Sequence, residues 1–308
     1  MSTTRTYSGN FAGRKAAGYI APMLYGGRTL GNPAVTIHEN IKYRLNVRGL
    51  DVSDDLIRNA TCDFSPTSTI TMSDTILQPK ELQVNLQVCF DDWYDQWEAE
   101  QINGSRVDGS APREWMEFLN DRIAERVAKR IETLIWQGTD TANQFEGFIT
   151  KLGVPEVTST AVTKANVIAE MQKVYDAISE DVWDAAGTEG LVFAVGTKID
   201  KFYQQALAEF GGTGSNGFQG NAVVGEKPRD FMGLSVTRLP GLPDNTMVAY
   251  PRADLHFGSN LLTDFTNVKV VDTRETLADN NLRFTARFAA GTQVTNRTNI
   301  VFYGVDPS

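Results

Sequence analysis

The sequence predicts an α+β protein in which one long helix lies against antiparallel strands. Three observations point there. Residues 41–48 and 82–90 alternate apolar and polar side chains with a period of two, the pattern of half-buried strands. Residues 113–137 carry an apolar stripe at helical spacing. The last third holds further alternating stretches and a closing apolar run, with no internal repeat or low-complexity tract.

Taken in order, residues 1–34 are rich in Gly, Ser, Thr, Asn and Pro without sustained periodicity, and read as an extended arm. Such an arm needs a clasp to be ordered, and the expected clasp is another subunit. In the first strand Ile41, Tyr43, Leu45 and Val47 fall on one face, with Lys42, Arg44, Asn46 and Arg48 on the other. In the second, Leu82, Val84, Leu86, Val88 and Phe90 alternate with Gln83, Asn85, Gln87 and Cys89. The polar, turn-rich stretch between them, with a short strand at 68–72, reads as a long protruding two-stranded loop.

The helix over 113–137 has Ser110 as a candidate cap, Pro112 in its first turn and Gly138 as its stop. Its stripe is Trp115, Leu119, Ile123, Val127, Ile131, Leu134 and Ile135, with Glu125 and Lys129 as an exposed (i, i+4) pair. At 1.5 Å per residue it forms a rod of roughly 37 Å, a spine rather than an ordinary globular helix. Beyond a turn-rich link at 138–160, helices are predicted near 164–180 and 198–210, with a strand at 191–195 between them. A Gly-rich loop at 211–221 follows, then strands near 234–238, 246–250 and 255–258, two longer ones at 267–273 and 281–291, and a last one at 299–303.

Composition bounds the function. A chain of 308 residues, 41% hydrophobic and 22% charged, can bury one large core or two ordinary ones. No stretch approaches the roughly 18 unbroken apolar residues of a membrane span. The opening MSTTRTYSGNFAGRK lacks an apolar signal core, so no membrane partner or secretion is expected. The two cysteines, Cys62 and Cys89, are too few for a disulfide scaffold and fit synthesis in a reducing cytoplasm. Asn-x-Ser/Thr matches at Asn59, Asn103 and Asn296 therefore carry no weight as glycosylation sites.

A net charge of −9 argues against a protein whose main task is gripping nucleic acid. Its distribution says more. Residues 1–48 hold seven bases, Arg5, Arg14, Lys15, Arg28, Lys42, Arg44 and Arg48, against one acid, Glu39. The rest of the chain holds 22 bases against 37 acids, a net −15. A basic arm on an acidic body can bind nucleic acid or lie across the body of a neighbouring copy. Seven charges spread over 48 residues are sparse for a nucleic-acid tail, which favours the second reading. These seven residues are the candidate subunit contacts, with Arg44 and Arg48 expected to touch a neighbour.

No motif carries catalysis, and no catalytic, cofactor-binding or metal-binding residue is assigned. GTGSNG at 212–217 fits a dinucleotide pattern, but a helix precedes it where a strand is required. GNAVVGEKP at 220–228 resembles a phosphate loop with Glu226 in place of the lysine, and Pro228 close by. His38 and His256, the only histidines, have no ligand spacing and read as surface or loop residues. FDDWYDQWEAE gathers Asp91, Asp92, Asp95, Glu98 and Glu100. It reads as a solvated face with Trp93 and Trp97 buried, an acceptor for a neighbour's arm, or a divalent-cation site. Cys62 and Cys89 read as structural thiols, with oxidation a lesser alternative.

Basic arm, protruding two-stranded loop, spine helix and α/β remainder, in that order, resemble the tailed-phage major capsid proteins of the Hong Kong 97-like fold. RIETLIWQGTDTANQFEGFI resembles that family's spine-helix end, running through a Gly–polar turn into a second Gly at 147. VVGEKPRDFMGLSVTRLPGLP resembles its turn into a strand after the axial domain, and NNLRFTARFAAGTQVTNRTNIVFYG its long C-terminal strand, Gly turn and closing strand. ATCDFSPTSTITMSDTILQPKELQVNLQVC is similar to the loop region of capsid proteins from phages of Bacteroidetes hosts.

The resemblance implies a division into an arm (1–34), an extended loop (35–92), a peripheral domain with the spine (93–152), an axial domain (153–255), and peripheral strands with a closing strand (256–308). It implies a virion shell protein, not an enzyme, assembled in the host cytoplasm around double-stranded DNA. The implied partners are other copies in hexamers and pentamers, a portal protein, separate scaffolding or decoration proteins, and packaged DNA held non-specifically. The chain begins almost at the arm, so any scaffolding function is expected in a separate protein. Some members cross-link through Lys–Asn bonds; Lys80 is the obvious lysine, but nothing local supports that chemistry. The main alternative is an encapsulin, a compartment of the same fold enclosing protein cargo. A rival from another class is an enzyme using the acidic cluster or the Gly-rich loop.

Overall fold

The computed structural model describes residues 9–12, 21–24, 26–31, 34–52, 57, 69–89, 113–141, 143–211, 229–260, 267–273, 279 and 281–304. In chain order come β1 (Gly9–Ala12), α1 (Arg28–Gly31), β2 (Thr36–His38), β3 (Leu45–Val52), β4 (Ile70–Leu77), β5 (Lys80–Cys89) and the spine α2 (Arg113–Gln137). Then follow α3 (Phe148–Leu152), β6 (Val157–Thr158), α4 (Val167–Asp176), α5 (Glu180–Gly190), β7 (Leu191–Val195) and α6 (Thr197–Gly211). The chain continues through β8 (Arg229–Phe231), β9 (Leu234–Arg238), β10 (Met247–Pro251), β11 (Leu255–Ser259), β12 (Asn267–Asp272), β13 (Asn281–Val294) and β14 (Val301–Gly304).

The 14-residue β13 is the axis of one sheet, ordered β1-β12-β13-β11-β2. Along its other edge β5 pairs with it from Asn281↔Cys89 to Ala290↔Lys80. Leu282, Phe284, Ala286 and Phe288 are buried, while Arg287 between them is exposed. This is the alternation the sequence predicts. From the spine, Ile123, Ile131, Leu134, Ile135 and Trp136 share one core with these residues. The side chains of Trp115 and Leu119 lie outside the described residues, as do Ser110 and Pro112.

The second sheet runs β6-β14-β10-β7-β9-β8 and separates two cores. Val192, Ala194, Val248, Tyr250 and Phe302 point into the spine-helix core. Leu191, Phe193, Val195, Met247, Ala249, Val301 and Tyr303 point the other way, into a core with Val167, Met171 and Val174 of α4 and Ile199 and Tyr203 of α6. Both faces being covered, β7 and β10 are buried at every position and read as continuous apolar runs rather than alternating ones. Each large side chain so buried contributes about 1.5–3 kcal/mol.

Several expectations are corrected. The first strand begins at Leu45 rather than Ile41. The Ile41 N–H donates to the Ser259 carbonyl (3.0 Å) and its side chain is buried, whereas Tyr43 is 70% exposed. The partner strand ends at Leu77 opposite Leu45, so residues 41–44 have no ladder to join. That partner, β4, spans eight residues and not five. The helix expected near 164–180 is α4, shorter at Val167–Asp176. A further helix that was not expected, α5, follows it, with an extended Ser179 whose hydroxyl caps it by accepting from the Val182 N–H (3.4 Å). On the spine, Glu125 pairs with Arg122 at 3.3 Å, not with Lys129.

Candidate assembly interface

The N-terminal segment is held first by its own chain. Met23, Leu24, Leu30 and Val35 are buried in the spine-helix core. Thr29 is fully buried against the spine: its N–H donates to both Glu132 carboxylate oxygens (3.0 and 3.2 Å) and its Oγ1 donates to Oε1 (2.6 Å). The Trp136 Nε1 donates to the same hydroxyl at 2.9 Å. Gly27 must lack a side chain, because a Cβ there would collide with the Glu132 carboxylate. The clasp expected from another subunit is thus supplied, for Met23, Leu24, Thr29, Leu30 and Val35, by the core around the spine helix. An unpaired buried carboxylate is costly, and the backbone and hydroxyl of Thr29 satisfy Glu132.

The spine ends in a tight hairpin. Gly138 N–H donates to the Leu134 carbonyl (3.0 Å) and Gly147 N–H to the Gly138 carbonyl (2.9 Å). The Thr150 hydroxyl donates to the Gly138 carbonyl at 2.6 Å. A Cβ on Gly138 would strike the Phe145 carbonyl oxygen, so only glycine permits this closure. The Thr292 hydroxyl of β13 donates to the Glu146 carbonyl (2.5 Å), and Lys80 of β5 pairs with Asp140 (3.0 Å). The hairpin is therefore tied to two strands of the neighbouring sheet, and the Lys80 amine is engaged in an ion pair.

β3 and β4 form a separate two-stranded ribbon, with register Leu45↔Leu77 through Val52↔Ile70. Its root is anchored: Leu77 is fully buried, and Gly258 of β11 leaves room for it and for Ile41. Toward the tip the ribbon loses apolar cover. Ile70 is 59% exposed, Met72 73% and Ile76 46%, all on one face of β4. In their midst Arg48 pairs with Asp74 at 3.4 Å, both side chains more than half exposed. The strand at 80–89, grouped by the sequence with the loop over 35–92, leaves the ribbon after Leu77 and joins β13.

Of the seven candidate contact residues, Arg28, Lys42, Arg44 and Arg48 are exposed. Arg44 and Arg48 lie at and within the ribbon, while Lys42 lies at its root. Arg5, Arg14 and Lys15 lie outside the described residues. So do the acidic stretch 91–100, the Gly-rich motifs over 212–228, and Cys62; Cys89 is a half-buried free thiol.

The two histidines are not isolated surface or loop residues. Parallel pairing of β2 with β11 places the His38 Nε2 3.0 Å from the His256 Nδ1, with ring centroids 5.1 Å apart. His256 is buried, and burial, then the nearby His38 charge, lowers its pKa to about 4. Burial lowers that of His38 as well. Neither β2, three residues long, nor β11, buried at every position, carries a pattern that reveals that the two strands are neighbours.

Elsewhere, an open groove of about 640 Å³ on the outer face of β5, β13 and β12 is lined by Gln83, Asn85, Gln87, Lys269, Arg283 and Arg287. Among the described residues no three His, Cys, Asp or Glu side chains cluster to hold a metal, and no helix is long and apolar enough to cross a membrane.

The sequence profile of the phage capsid family matches residues 111–305. No curated protein matches the chain. Among solved structures, the capsid of a native GTA particle superposes with a TM-score of 0.59 at 14% identity, covering 98% of this chain and 94% of that one. A protein of Mycobacterium phage Ogopogo gives 0.57 at 11% identity, covering 90% and 92%. A virus-like particle from Pyrococcus furiosus gives 0.51 at 11% identity, covering 94% and 98%. These likenesses establish the shell fold.

Proposed function

This chain belongs to the phage capsid family and has the Hong Kong 97-like fold; from that premise we propose that it builds an icosahedral shell around a double-stranded DNA genome by laying its β3–β4 ribbon on a neighbouring copy. As a major capsid protein its role is mechanical: to self-assemble and to bear load.

The observation that carries the proposed contact is the apolar face of the ribbon. Ile70, Met72 and Ile76 are exposed together on a two-stranded element that is marginal by itself. Large apolar side chains exposed on one face, here around the Arg48–Asp74 ion pair, mark a candidate interaction site, and in a self-assembling protein the natural cover is another copy. Extended overlaps of this kind bury more area than edge contacts, which suits a shell under internal pressure. Arg28, Lys42, Arg44 and Arg48, all exposed, are proposed to meet acidic surfaces of that neighbour, and Arg5, Arg14 and Lys15 are proposed to join them. The segment over 153–255, whose core between α4, α6 and the second sheet is completed by Val301 and Tyr303 of β14, is assigned to the axes of pentamers and hexamers. Portal, scaffolding or decoration proteins and non-specifically held DNA complete the proposed partners.

The experiment is expression of the chain with Ile70→Asp and Met72→Asp. We expect a folded subunit by circular dichroism with loss of shells in negative-stain microscopy. Shells formed as by the wild type would overturn the ribbon contact. Family membership favours a genome container over an encapsulin. In native particles packaged DNA dominates absorbance near 260 nm, a wavelength set by the bases, whereas protein cargo does not.

A further inference from the structure

His38 and His256 meet at the root of the ribbon. β2 ends at His38, Asn40 turns the chain with a left-handed backbone (φ 64°), and Ile41 bonds to the end of β11 before β3 begins. β2 is an edge strand of three residues, paired with β11 alone. Besides this short ladder, the Thr36 hydroxyl bond to the Arg252 carbonyl (3.2 Å) and the packing of Ile37 and Val35 on the spine-helix core, the ring–ring contact is the polar side-chain bond between β2 and β11.

We propose that His38 and His256 form a proton-sensitive latch: protonation of both rings breaks their contact, releases β2 from β11 and frees the root of the ribbon. The chemistry follows from the donor count. A neutral pair has one N–H facing one lone pair, and a singly charged pair keeps that bond. A doubly charged pair turns two N–H groups toward each other at 3.0 Å, so the bond is lost and two like charges are left in contact. The buried His256 Nε2 has no partner among the described residues to stabilise the added charge.

The charged groups on the elements packed there are Glu39 beside His38, and Arg252 and Asp254 leading into β11. Asp254 is held by Asn299 at 3.1 Å, and the facing stretch of β13, Ala290–Val294, carries no titratable residue. Both rings have pKa values below the usual 6.5. The unfastened state therefore binds more protons, and the latch is closed above pH 6.5 and opens as pH falls toward about 4. That acidification would mobilise the ribbon rests on the reading of the ribbon as the assembling element; the latch itself does not.

The test is hydrogen–deuterium exchange on the full-length, unassembled subunit at pH about 7 and about 5, on either side of ordinary histidine titration. After correction for the intrinsic rate, the peptide spanning 34–41 should exchange about tenfold or more faster at the lower pH, since each unit of linked pKa shift is a factor of ten. His38→Gln keeps a hydrogen-bonding side chain that cannot charge, and should reduce that acceleration to the share linked to His256, whose pKa is lowered first by burial; the double variant His38→Gln, His256→Gln should abolish it. His256→Gln is the second variant should the first fail to fold. Equal exchange at both pH values in the wild type overturns the latch, as does full acceleration in both variants. Negative-stain microscopy at neutral pH scores shells separately, so a failure to assemble would count against the proposed function and leave the exchange result standing.

Discussion

Thr29 and Glu132, 103 residues apart, are joined by three hydrogen bonds in a site where neither is accessible to solvent. This contact fastens the start of the chain to the middle of the spine helix, and it makes the spine the clasp for residues that lead into the ribbon.

Replacing Thr29 with Val removes the hydroxyl while keeping its volume. The Glu132 carboxylate then loses its shortest bond and Trp136 its acceptor, which should cost about 1–3 kcal/mol. Urea unfolding of the unassembled subunit measures this, and an unchanged midpoint would count against the clasp.

In the second core the Tyr303 hydroxyl donates to Glu170 (2.7 Å) and accepts from the Thr160 N–H (3.0 Å), while Lys173 pairs with the same carboxylate (2.8 Å). Burial alone would raise the Glu170 pKa, but bonds from Lys173 and Tyr303 prevail and lower it. The stability this carboxylate adds is present above its unfolded pKa and is lost as pH falls through the lower folded value. Tyr303→Phe should destabilise the subunit by about 1–3 kcal/mol at neutral pH and flatten its acid dependence. Unfolding curves across the acidic range check both.

Gly138→Ala places a methyl against the Phe145 carbonyl oxygen, where backbone cannot yield. A loss of about 1–3 kcal/mol, the usual cost of overpacking, is expected. A melting temperature equal to that of the wild type would contradict the described closure.

Arg48 and Asp74 form an exposed ion pair, worth at most about 1 kcal/mol to the subunit. Reversing charge at Arg44 and Arg48 together should therefore leave subunit melting nearly unchanged while lowering particle yield and particle thermal stability. Particles unaffected on both counts would remove these residues from the interface.

The spine was legible because its stripe, from Ile123 to Ile135, repeats at helical spacing and Gly138 marks its stop. β13 was legible because one of its faces is buried and the other is polar. β7 and β10 could be seen only as apolar runs, since covering both faces erases alternation. The clasp was not foreseen. Its trace is a glutamate spaced four residues from Ala128 and from Trp136 on the buried side of the stripe, and no local rule says what would satisfy it. The histidine latch was hidden for the same reason: parallel pairing of two strands more than 200 residues apart leaves no mark in either. The extent of β4 was missed because Ile70, Met72 and Ile76 face outward, reversing the usual sense of an apolar pattern.

The most direct measurement is negative-stain microscopy of the purified wild-type chain beside the Ile70→Asp, Met72→Asp variant. The account predicts closed, uniform shells for the first and folded, unassembled subunits for the second. Monomers from the wild-type chain, or equal shells from both, would contradict it.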